Sequence, residues 1–393
     1  MQRPLSDIRV LDLGQIYQGG YCGLLLSYLG ADVVKVEPPG GENVRTRSED
    51  GKPPQVQYLN ATKRGITLDL KSEEGNRALK DLVEVTDVLF ENYSTGTMEK
   101  LGLGYETLSE INPQLVYGHG SGYGDDGPYA DHPAMDLTIQ AMSGVMNTTG
   151  FPDSPPVKAG PAVCDFIGGV HLALGIVSAL HRRKETGEGD YIEVGMFDCM
   201  YPTLASPVSS HVAERDAPPR TGNRHSGLGI APYNAYEADN GYVAIICIAE
   251  RHWENLARAM DHEGLISAEG YDSKVRRAEH MDEVDALVGE WVGGRSKEEV
   301  VETLLEANVP CAPVQDVEEI VDDPHLRERG MINDLPNQGT GKEEVPVPGM
   351  PIKFHGSKDP DVTQAPLLGE HTEEVLAEMA GYDEEEISRL LEG

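Results

Sequence analysis

One aspartate stands where a carboxylate could act as a nucleophile. Asp165 lies between the stretch 160–164 and the glycine pair Gly168 and Gly169, and a long apolar helix is predicted to follow at once. A carboxylate that is ionised in an apolar setting can attack an acyl carbon and form a covalent intermediate. The two glycines would let a backbone or a substrate approach closely.

A structural role also explains the position of Asp165. The residue comes at the start of an apolar helix predicted within 161–181, so it would serve as the helix N-cap. The two roles are compatible, because the N–H groups and the dipole at a helix N-terminus keep a carboxylate ionised. The position of Asp165 alone favours the N-cap role. Whether Asp165 also acts as a nucleophile has to be judged from motifs elsewhere in the chain.

The common nucleotide-binding and hydrolase motifs are missing from the sequence. The glycines of 14–23 do not form GxGxxG, Gly102 and Gly104 lack a third glycine and follow no strand, and no GxxxxGK[ST] loop occurs. These observations argue against NAD, FAD and ATP. The stretch 118–122 does not fit the GxSxG elbow. His119 leaves a hydrolase open, although a histidine in a glycine-rich loop is more often structural.

The charge of the chain is unusual. Among its 393 residues, 67 are Asp or Glu and 32 are Lys or Arg, which gives a formal net charge of -35. Such a surface repels nucleic acid and anionic membranes. Molar salt shortens the Debye length to roughly 3 Å and removes most of the self-repulsion. We therefore interpret the charge as adaptation to high intracellular salt, as in halophilic archaea, with a moderately acidic mesophilic enzyme as the alternative.

The sequence indicates neither a membrane segment nor a metal site. No apolar run reaches the roughly 18–20 residues that span a bilayer, and the polar start 1–10 has no signal-peptide pattern. The five cysteines form no CxxC pair, so neither zinc nor disulfides are indicated, and reduced thiols are expected. We predict a cytoplasmic protein without a bound metal.

Alternating apolar strands and amphipathic helices predict a parallel sheet. The chain begins with strand 8–13, a glycine turn, a helix and strand 31–37, which form a right-handed βαβ unit. A helix capped by Ser72 is predicted at 72–85. Further strands are predicted at 65–70, 87–92, 115–118 and 191–194. The fold class is therefore α/β, with a Rossmann-like large domain that binds ligands beyond the C-terminal ends of its strands.

Changes of composition divide the chain into domains. Prolines and glycines mark two linkers, and the residues between them read as a smaller α+β domain. That domain would begin with a β-hairpin that turns at Asn240-Gly241. A last helix is predicted at 372–380. The predicted order is a large domain 1–200, a linker 201–229, the small domain 230–316, a linker 317–350, and a part 351–393 that completes the large domain.

Five groups of short motifs follow one another along the chain. They are 10–13 with Gly19 and 29–40; Asn60, Lys63 and 68–70; 87–93, Gly96 and 100–103; 112–113, 115–117, 121–124, 127–129 and Asp136; and Asp165 with its helix. In this order and at these spacings they resemble the family III CoA-transferases, also called the CaiB/BaiF family. Each motif alone is weak, but together they extend over nearly the whole chain.

The resemblance implies an enzyme that moves coenzyme A from an acyl-CoA to a free carboxylic acid without any other cofactor. In that family the aspartate matching Asp165 attacks the thioester, and a mixed anhydride and an aspartyl-CoA thioester follow. A flap from the small domain would lie at Gly227 and Gly229. The resemblance also implies an interlocked homodimer. Coenzyme A and its acyl group would contact Ile16, Tyr17, Pro38, Leu70, Asn92, Tyr93, Lys100 and Asp136.

Three positions depart from the family pattern. Tyr17 stands where several members carry a glutamine near the thioester, and Pro38 stands where some place an arginine beside the adenine. Met135 replaces the histidine that the α-methylacyl-CoA racemase branch uses to move a proton, and methionine cannot carry one. We predict transfer from succinyl-CoA to a small dicarboxylic acid such as mesaconate. A 2-methylacyl-CoA racemase and a non-catalytic CoA-binding protein are the alternatives.

Overall fold

Six short parallel strands form the main sheet of the protein, whose computed structural model describes residues 3–213 and 218–392. The strand order is β3-β2-β1-β4-β5-β6, and every neighbouring pair is parallel. This doubly wound order reverses direction between β1 and β4, which confirms the predicted α/β, Rossmann-like class. The strands are β1 (Arg9–Asp12), β2 (Asp32–Glu37), β3 (Arg64–Thr67), β4 (Val88–Glu91), β5 (Val116–Ser121) and β6 (Asp190–Gly195).

Helices of various lengths connect these strands and form much of the rest of the protein. They are α1 (Ile16–Tyr28), α2 (Pro54–Asn60), α3 (Glu73–Val83), α4 (Thr97–Lys100), α5 (Tyr105–Ile111), α6 (Asp136–Met142), α7 (Val145–Thr148), α8 (Val163–Thr186), α9 (Met196–Met200), α10 (Ala205–Val212), α11 (Glu250–Ala259), α12 (Lys274–Glu279), α13 (Met281–Val292), α14 (Lys297–Glu306), α15 (Val317–Val321), α16 (Pro324–Glu328), α17 (Thr372–Val375) and α18 (Glu384–Glu392). Single 3₁₀ turns lie at Arg45–Arg47, Tyr201–Leu204 and Glu263–Ile266.

The strands are apolar on both faces, which is why helices cover both sides of the sheet. Successive residues of a strand point to opposite faces. Leu11 and Leu89 belong to the core that α3 and the C-terminal helices complete, whereas Val10 and Val88 belong to the core that α1 and α8 complete. Burying a side chain of this size stabilises the fold by roughly 1.5–3 kcal/mol. A parallel sheet that is covered in this way exposes only its edges and its strand ends.

Two compact units make up the chain. The first comprises Met1–Met142, Gly160–Pro202 and Val321–Gly393, and the second comprises Ser143–Ala159 and Thr203–Ile320. We predicted the segment 143–159 as part of the large domain, but it groups with the second unit. The backbone N–H of Gly222 donates to the carbonyl oxygen of Gly150 at 2.9 Å, and Arg220 donates to the carbonyl oxygen of Asn147. These contacts join residues about 70 positions apart, which local sequence patterns do not predict.

The second unit contains a three-stranded antiparallel sheet. Strands β7 (Tyr233–Ala238), β8 (Gly241–Ile246) and β9 (Cys311–Pro313) are arranged in that order, with the proline-containing β9 at the edge. The predicted hairpin is present, but its turn was placed wrongly. Ala238 pairs with Gly241, so Asp239 and Asn240 form the two-residue loop and Gly241 begins the return strand.

The proline-rich stretches are more regular than predicted. The first contains the 3₁₀ turn Tyr201–Leu204 and α10, in whose first turn Pro207 needs no N–H partner. The second contains an antiparallel hairpin of β10 (Ile332–Pro336) and β11 (Glu344–Pro348). The C-terminal helix we predicted is α17 followed by a π-helical turn, Leu376–Ala380. Helix α18 was missed, although Ile387 within it is buried in the core.

Helix α8 is long and apolar enough to cross a membrane by length and composition alone. The core helix of a folded domain passes the same test, and half of the apolar stretch of α8 is buried within the protein. It packs against α1 and against strands β5 and β6. These contacts account for the apolar residues on the buried face of α8, whereas Val170 and Leu174 on another face are exposed.

A buried carboxylate at the end of β1 holds two lysines. The side chain of Asp12 is 0% exposed, and its Oδ2 accepts a hydrogen bond from Lys63 Nζ at 2.7 Å. Its Oδ1 lies 3.7 Å from Lys35 Nζ, which also donates to the carbonyl oxygen of Gly14. Lys63 donates further to the Gly20 carbonyl oxygen. The three charges therefore tie β1, β2 and the segment before β3 to the loop that follows β1.

We expect Asp12→Asn to lower the free energy of unfolding by about 3–5 kcal/mol, because it leaves two buried ammonium groups without a counter-charge. Denaturant unfolding of the whole protein in molar KCl measures this change. Glu254→Gln is the matched control, since the Glu254–Arg258 pair is largely exposed and its loss should cost less than about 1 kcal/mol. Equal effects of the two substitutions would contradict a structural role for the Asp12 cluster.

Candidate active site

The reversal of the sheet between β1 and β4 places two loops side by side. Asn92, directly after β4, accepts a hydrogen bond from the Gln15 N–H at 2.6 Å and donates to the Gln15 carbonyl oxygen at 3.0 Å. A crevice at such a reversal is the usual ligand site of a doubly wound sheet. Ile16 and Tyr17 at the start of α1 are therefore close to Asn92 and Tyr93, which follow β4. The resemblance implied these four residues as contacts of coenzyme A, and that role stays a prediction.

Ile16 adopts a conformation that is unusual for its residue type. Its φ is 56°, in the left-handed region that β-branched residues rarely occupy. Its N–H donates to Glu42 Oε2 at 3.1 Å, and its side chain packs against the small cluster that contains Val44. Backbone strain of this kind persists where surrounding contacts enforce it, and it is concentrated at functional sites.

Glycines allow the first loop and α8 to approach each other. A Cβ on Gly14 would lie 2.6 Å from Gly19 Cα, so the loop can close only with glycine there. A Cβ on Gly169 would lie 2.6 Å from the carbonyl oxygen of Gln18. The expectation that Gly169 permits a close backbone approach is thus confirmed. Helix α1 consequently begins beside the first turns of α8, where Asp165 is located.

Aromatic contacts join Tyr17 to the turn that carries Asp165. The ring of Tyr17 stacks on the ring of Phe166 with 5.7 Å between centroids, and Tyr21 meets the same ring edge-on at 4.9 Å. The Tyr17 hydroxyl accepts a hydrogen bond from Arg47 at 2.7 Å, and the guanidinium lies 5.2 Å from the ring centroid. Tyr17, Phe166 and Arg47 thus form a connected group next to Asp165.

Asp165 is not the N-cap of α8. The cap residue is Ala162, and Asp165 is the third residue of the helix. The N–H groups at this end are satisfied from outside, because Asp136 Oδ1 accepts from the Cys164 N–H at 2.8 Å and from the Asp165 N–H at 3.4 Å. Asp136 is fixed in turn by Gln140, which donates to its Oδ2 at 2.6 Å. The prediction was wrong because a residue distant in sequence took the capping role.

The ionisation of Asp165 also differs from expectation. Burial and the negative charge of Asp136 raise its pKa from 3.8 to about 7, and only the positive charge of Arg47 opposes them. Since the folded protein holds this proton more tightly than the unfolded chain, the group makes stability fall as the pH rises from about 4 to about 7. Near neutral pH the carboxylate is therefore present but poorly stabilised, which suits a nucleophile.

A cationic cavity brings together two other predicted residues, Leu70 and Lys100. Its volume is about 480 Å³, and its lining also includes Lys71, Arg77 and Lys80. In a chain with a net charge of -35, this cavity is thus lined by four basic side chains and one acidic side chain, Glu73. Pro38 lies elsewhere, directly after β2, where it is exposed and its carbonyl oxygen accepts from the Gly41 N–H. The structure does not join Pro38 to this cavity.

His119 lies in a buried network behind the second loop. Its Nδ1 is 2.7 Å from Asp125 Oδ1, and its Nε2 is 3.2 Å from the Tyr93 carbonyl oxygen. Burial opposes its charge, but Asp125 and Glu91 raise its pKa to about 9. Burial raises the pKa of Glu91 to about 7. These contacts support the structural interpretation of His119, since the ring is enclosed and holds Tyr93 in place.

Gly227 and Gly229 belong to the second unit. They lie in an irregular segment before β7, where the Gly227 N–H donates to His225 Nδ1 at 3.1 Å. Their role as a flap stays a prediction. Within 3–213 and 218–392, no three His, Cys, Asp or Glu side chains are grouped so as to hold a metal ion.

Sequence reasoning missed Arg47 and Phe166. Phe166 follows Asp165 directly, so its neighbourhood could have been noticed, but its stacking on Tyr17 requires the packing of α1 on α8. Arg47 lies in a polar stretch after β2 and carries no motif. The only available signal was an arginine shortly after a strand end at the ligand edge of the sheet.

Comparison with known proteins gives one consistent result. The family described as CoA-transferase family III matches residues 5–372. A succinyl-CoA:mesaconate CoA-transferase from Haloarcula hispanica is 40% identical over 95% of this chain and 96% of its own, and a formyl-CoA:oxalate CoA-transferase from Streptomyces avermitilis is 35% identical over 100% and 98%. The crystal structure of a CAIB/BAIF family protein from Brucella suis superposes with a TM-score of 0.84 at 34% identity, covering 96% of this chain and 100% of that one.

We expect Asp136→Asn to lower the pKa of Asp165, because it removes a neighbouring negative charge while its amide oxygen can still cap α8. Carbodiimide labels protonated carboxyl groups, so peptide mass spectrometry across pH 4–9 follows the titration of Asp165. The midpoint should lie near pH 7 in the wild type and about one unit lower in the variant.

Asp361→Asn is the control for this titration, since Asp361 is exposed and forms no hydrogen bond or ion pair within the described part of the chain. It should leave the midpoint unchanged. A wild-type midpoint near pH 4, or one that Asp136→Asn does not move, would contradict the electrostatic coupling of the two carboxyl groups.

Proposed function

The chain belongs to CoA-transferase family III, and from that premise we propose that it transfers coenzyme A from succinyl-CoA to mesaconate or a closely similar dicarboxylic acid through covalent intermediates on Asp165. The observation that carries this proposal is the half-buried Asp165 carboxyl group at the start of α8, with its raised pKa. The Haloarcula enzyme, 40% identical over nearly the full length of both chains, supports the choice of substrates.

The reaction begins when the Asp165 carboxylate attacks the thioester carbonyl carbon of the donor. The C–S bond breaks, coenzyme A leaves as a thiolate, and a mixed anhydride of Asp165 and succinate remains. The thiolate then attacks the aspartyl carbonyl carbon, which releases succinate and leaves an aspartyl-CoA thioester. The acceptor carboxylate repeats these two steps in reverse order, so the new acyl-CoA departs and the Asp165 carboxylate is restored.

The surroundings of Asp165 support each of these steps. Burial and Asp136 leave the carboxylate with little stabilisation, so its attack on an acyl carbon is less opposed than that of a solvated carboxylate. The ring of Phe166 fixes Tyr17 on one side of the turn. The close approach of Gly169 in α8 to Gln18 in α1 fixes the start of α1. A rigid nucleophile and loop reduce the entropy that has to be lost in each transition state.

We place the phosphates of coenzyme A at the cationic cavity that Leu70 and Lys100 line. Coenzyme A carries several negative charges, and the net charge of the protein would otherwise repel it. Lysine is a suitable point charge for phosphate oxygens. Ile16, Tyr17, Asn92 and Tyr93 would then contact the pantetheine arm as it passes the crevice toward Asp165.

We further propose that the reaction uses no cofactor other than the CoA esters. The acidic surface supports an enzyme that works in the cytoplasm of a salt-adapted cell. The interlocked homodimer and the flap at Gly227 and Gly229 remain part of the same proposal. Met135 in front of Asp136 supports a transferase over a racemase, because a thioether cannot move a proton.

We expect Asp165→Asn to abolish transfer, with a rate at least about 10³-fold below wild type, because an amide cannot form the anhydride. Purified protein in molar KCl is incubated with succinyl-CoA and a panel of carboxylic acids, and CoA esters are followed by mass spectrometry. Hydroxylamine added during turnover should trap the wild-type intermediate as a hydroxamate on the peptide that contains Asp165.

Asp361→Asn serves again as the exposed control and should retain full activity. Exchange of deuterium at C2 of a branched acyl-CoA, without transfer of coenzyme A to any acid, would contradict the proposal and identify the protein as a racemase. Tight binding of CoA without either reaction would indicate a non-catalytic CoA-binding protein.

We expect Lys100→Ala to weaken the binding of coenzyme A about 5- to 30-fold and to reduce its dependence on salt, because one cation is removed from the cavity. Isothermal titration at two KCl concentrations measures both effects. Lys184→Ala is the control, since this exposed lysine lies in the last turn of α8. If the two variants bind coenzyme A with equal affinity, its phosphates bind outside this cavity.

A further inference from the structure

Arg47 is an arginine with unused hydrogen-bonding capacity. Its side chain is exposed, and the Tyr17 hydroxyl is its one hydrogen-bond acceptor within residues 3–213 and 218–392. A guanidinium has five N–H donors, and its fork geometry suits a carboxylate. In a chain with 67 acidic residues, Arg47 nevertheless forms no ion pair within these described ranges.

The neighbouring arginine on the same 3₁₀ turn shows the contrast. Arg45 is buried, donates twice to Glu37 at 2.7 and 2.8 Å, and donates to the Pro366 carbonyl oxygen at 3.0 Å. Glu37 ends β2, so this ion pair anchors the turn to the ligand edge of the sheet. Arg45 thus holds the turn in place, and Arg47 extends from a fixed support.

Two contacts hold the Arg47 side chain against the aromatic pair of Tyr17 and Phe166, which adjoins Asp165. Its guanidinium lies over the Tyr17 ring and donates to the Tyr17 hydroxyl, and that ring stacks on Phe166, the residue after Asp165. The backbone before it is held as well, since Val44 packs with Ile16. The rotamer entropy of a free arginine has therefore been partly lost before any ligand binds.

Arg47 and Asp165 influence each other without touching. The charge of Arg47 opposes the rise in the pKa of Asp165, yet the two side chains form no ion pair. A second carboxylate on the acyl group would otherwise be repelled by Asp136 and Asp165, so a site that accepts it needs a nearby cation.

We propose that the Arg47 guanidinium, held at 2.7 Å by the Tyr17 hydroxyl, binds the second carboxylate of a dicarboxylic acyl group whose other carboxyl carbon reacts at Asp165. This inference rests on the proposed function and assigns its specificity for diacids. Arg47 would act on the donor and on the acceptor alike, because both pass through the same acyl position on Asp165. The Arg47 guanidinium would not strengthen the binding of monocarboxylic acyl groups, because they have no second carboxylate.

The experiment compares two unreactive thioether analogues of acyl-CoA with chains of equal length, one ending in a carboxylate and one in a methyl group. Their affinities for the whole protein are measured by calorimetry in molar KCl. Arg47→Gln should weaken the carboxylate analogue about 10- to 100-fold, as expected for loss of a charge-assisted hydrogen bond, and leave the methyl analogue within about twofold. Arg47→Lys should lie between, because it keeps the charge and loses the fork.

Two further variants sharpen the comparison. Tyr17→Phe keeps the ring and removes the hydroxyl, so it should weaken the carboxylate analogue about 2- to 10-fold. Arg329→Gln is the matched control, since this exposed arginine of the same unit forms no side-chain hydrogen bond or ion pair in the described part of the chain. It should change neither affinity by more than about twofold.

The result that overturns the proposal is an equal loss for both analogues in Arg47→Gln, or no loss for either. Exchange of label between succinyl-CoA and free [¹³C]succinate tests the proposed function separately. Exchange by the wild type together with equal analogue losses would reject Arg47 and keep the transferase. No exchange by the wild type, with selective loss of the carboxylate analogue in Arg47→Gln, would reject the transferase and leave a carboxylate site at Arg47.

Discussion

The buried carboxylate of Asp12 is the constraint on which the site depends. An unpaired charge in a protein interior is costly, so Asp12 has to keep Lys63 and Lys35 beside it. Those lysines also donate to the carbonyl oxygen of Gly14, in the loop after β1, and to that of Gly20, in α1. The charges thus fix the loop after β1, which would otherwise be flexible because it contains glycine. Tyr17 lies in the first turn of α1, directly after this loop, so the loop sets its position.

Close packing of two helices extends this constraint from the loop to Asp165. Glycine at 169 lets the backbone of α1 approach α8, and the ring of Tyr17 then reaches Phe166. Asp165 is enclosed by the same packing, which raises its pKa to about 7. Because Asp136 supplies the helix cap, the Asp165 carboxyl group is not needed as a cap, and burial and the charges of Asp136 and Arg47 govern its ionisation.

The strongly acidic composition of the chain sets its few clusters of basic side chains apart. An anionic ligand of a protein with a net charge of -35 needs local cations where it binds. The cavity around Lys100 is lined by four basic residues, and the Arg47 guanidinium lies over the ring of Tyr17.

By itself the sequence determined the α/β class and most strands of the parallel sheet, because these depend on apolar periodicity. The role of Asp165 as a nucleophile was implied by the family resemblance and stays a prediction. Sequence reasoning misplaced the hairpin turn at Asn240, overlooked α18, and assigned the cap of α8 to Asp165. Only the tertiary structure revealed the Asp136 cap and the Tyr17–Arg47 contact. Both join residues 28 or more positions apart, and a pairing over that distance is set by how helices and strands pack, which local sequence patterns do not encode.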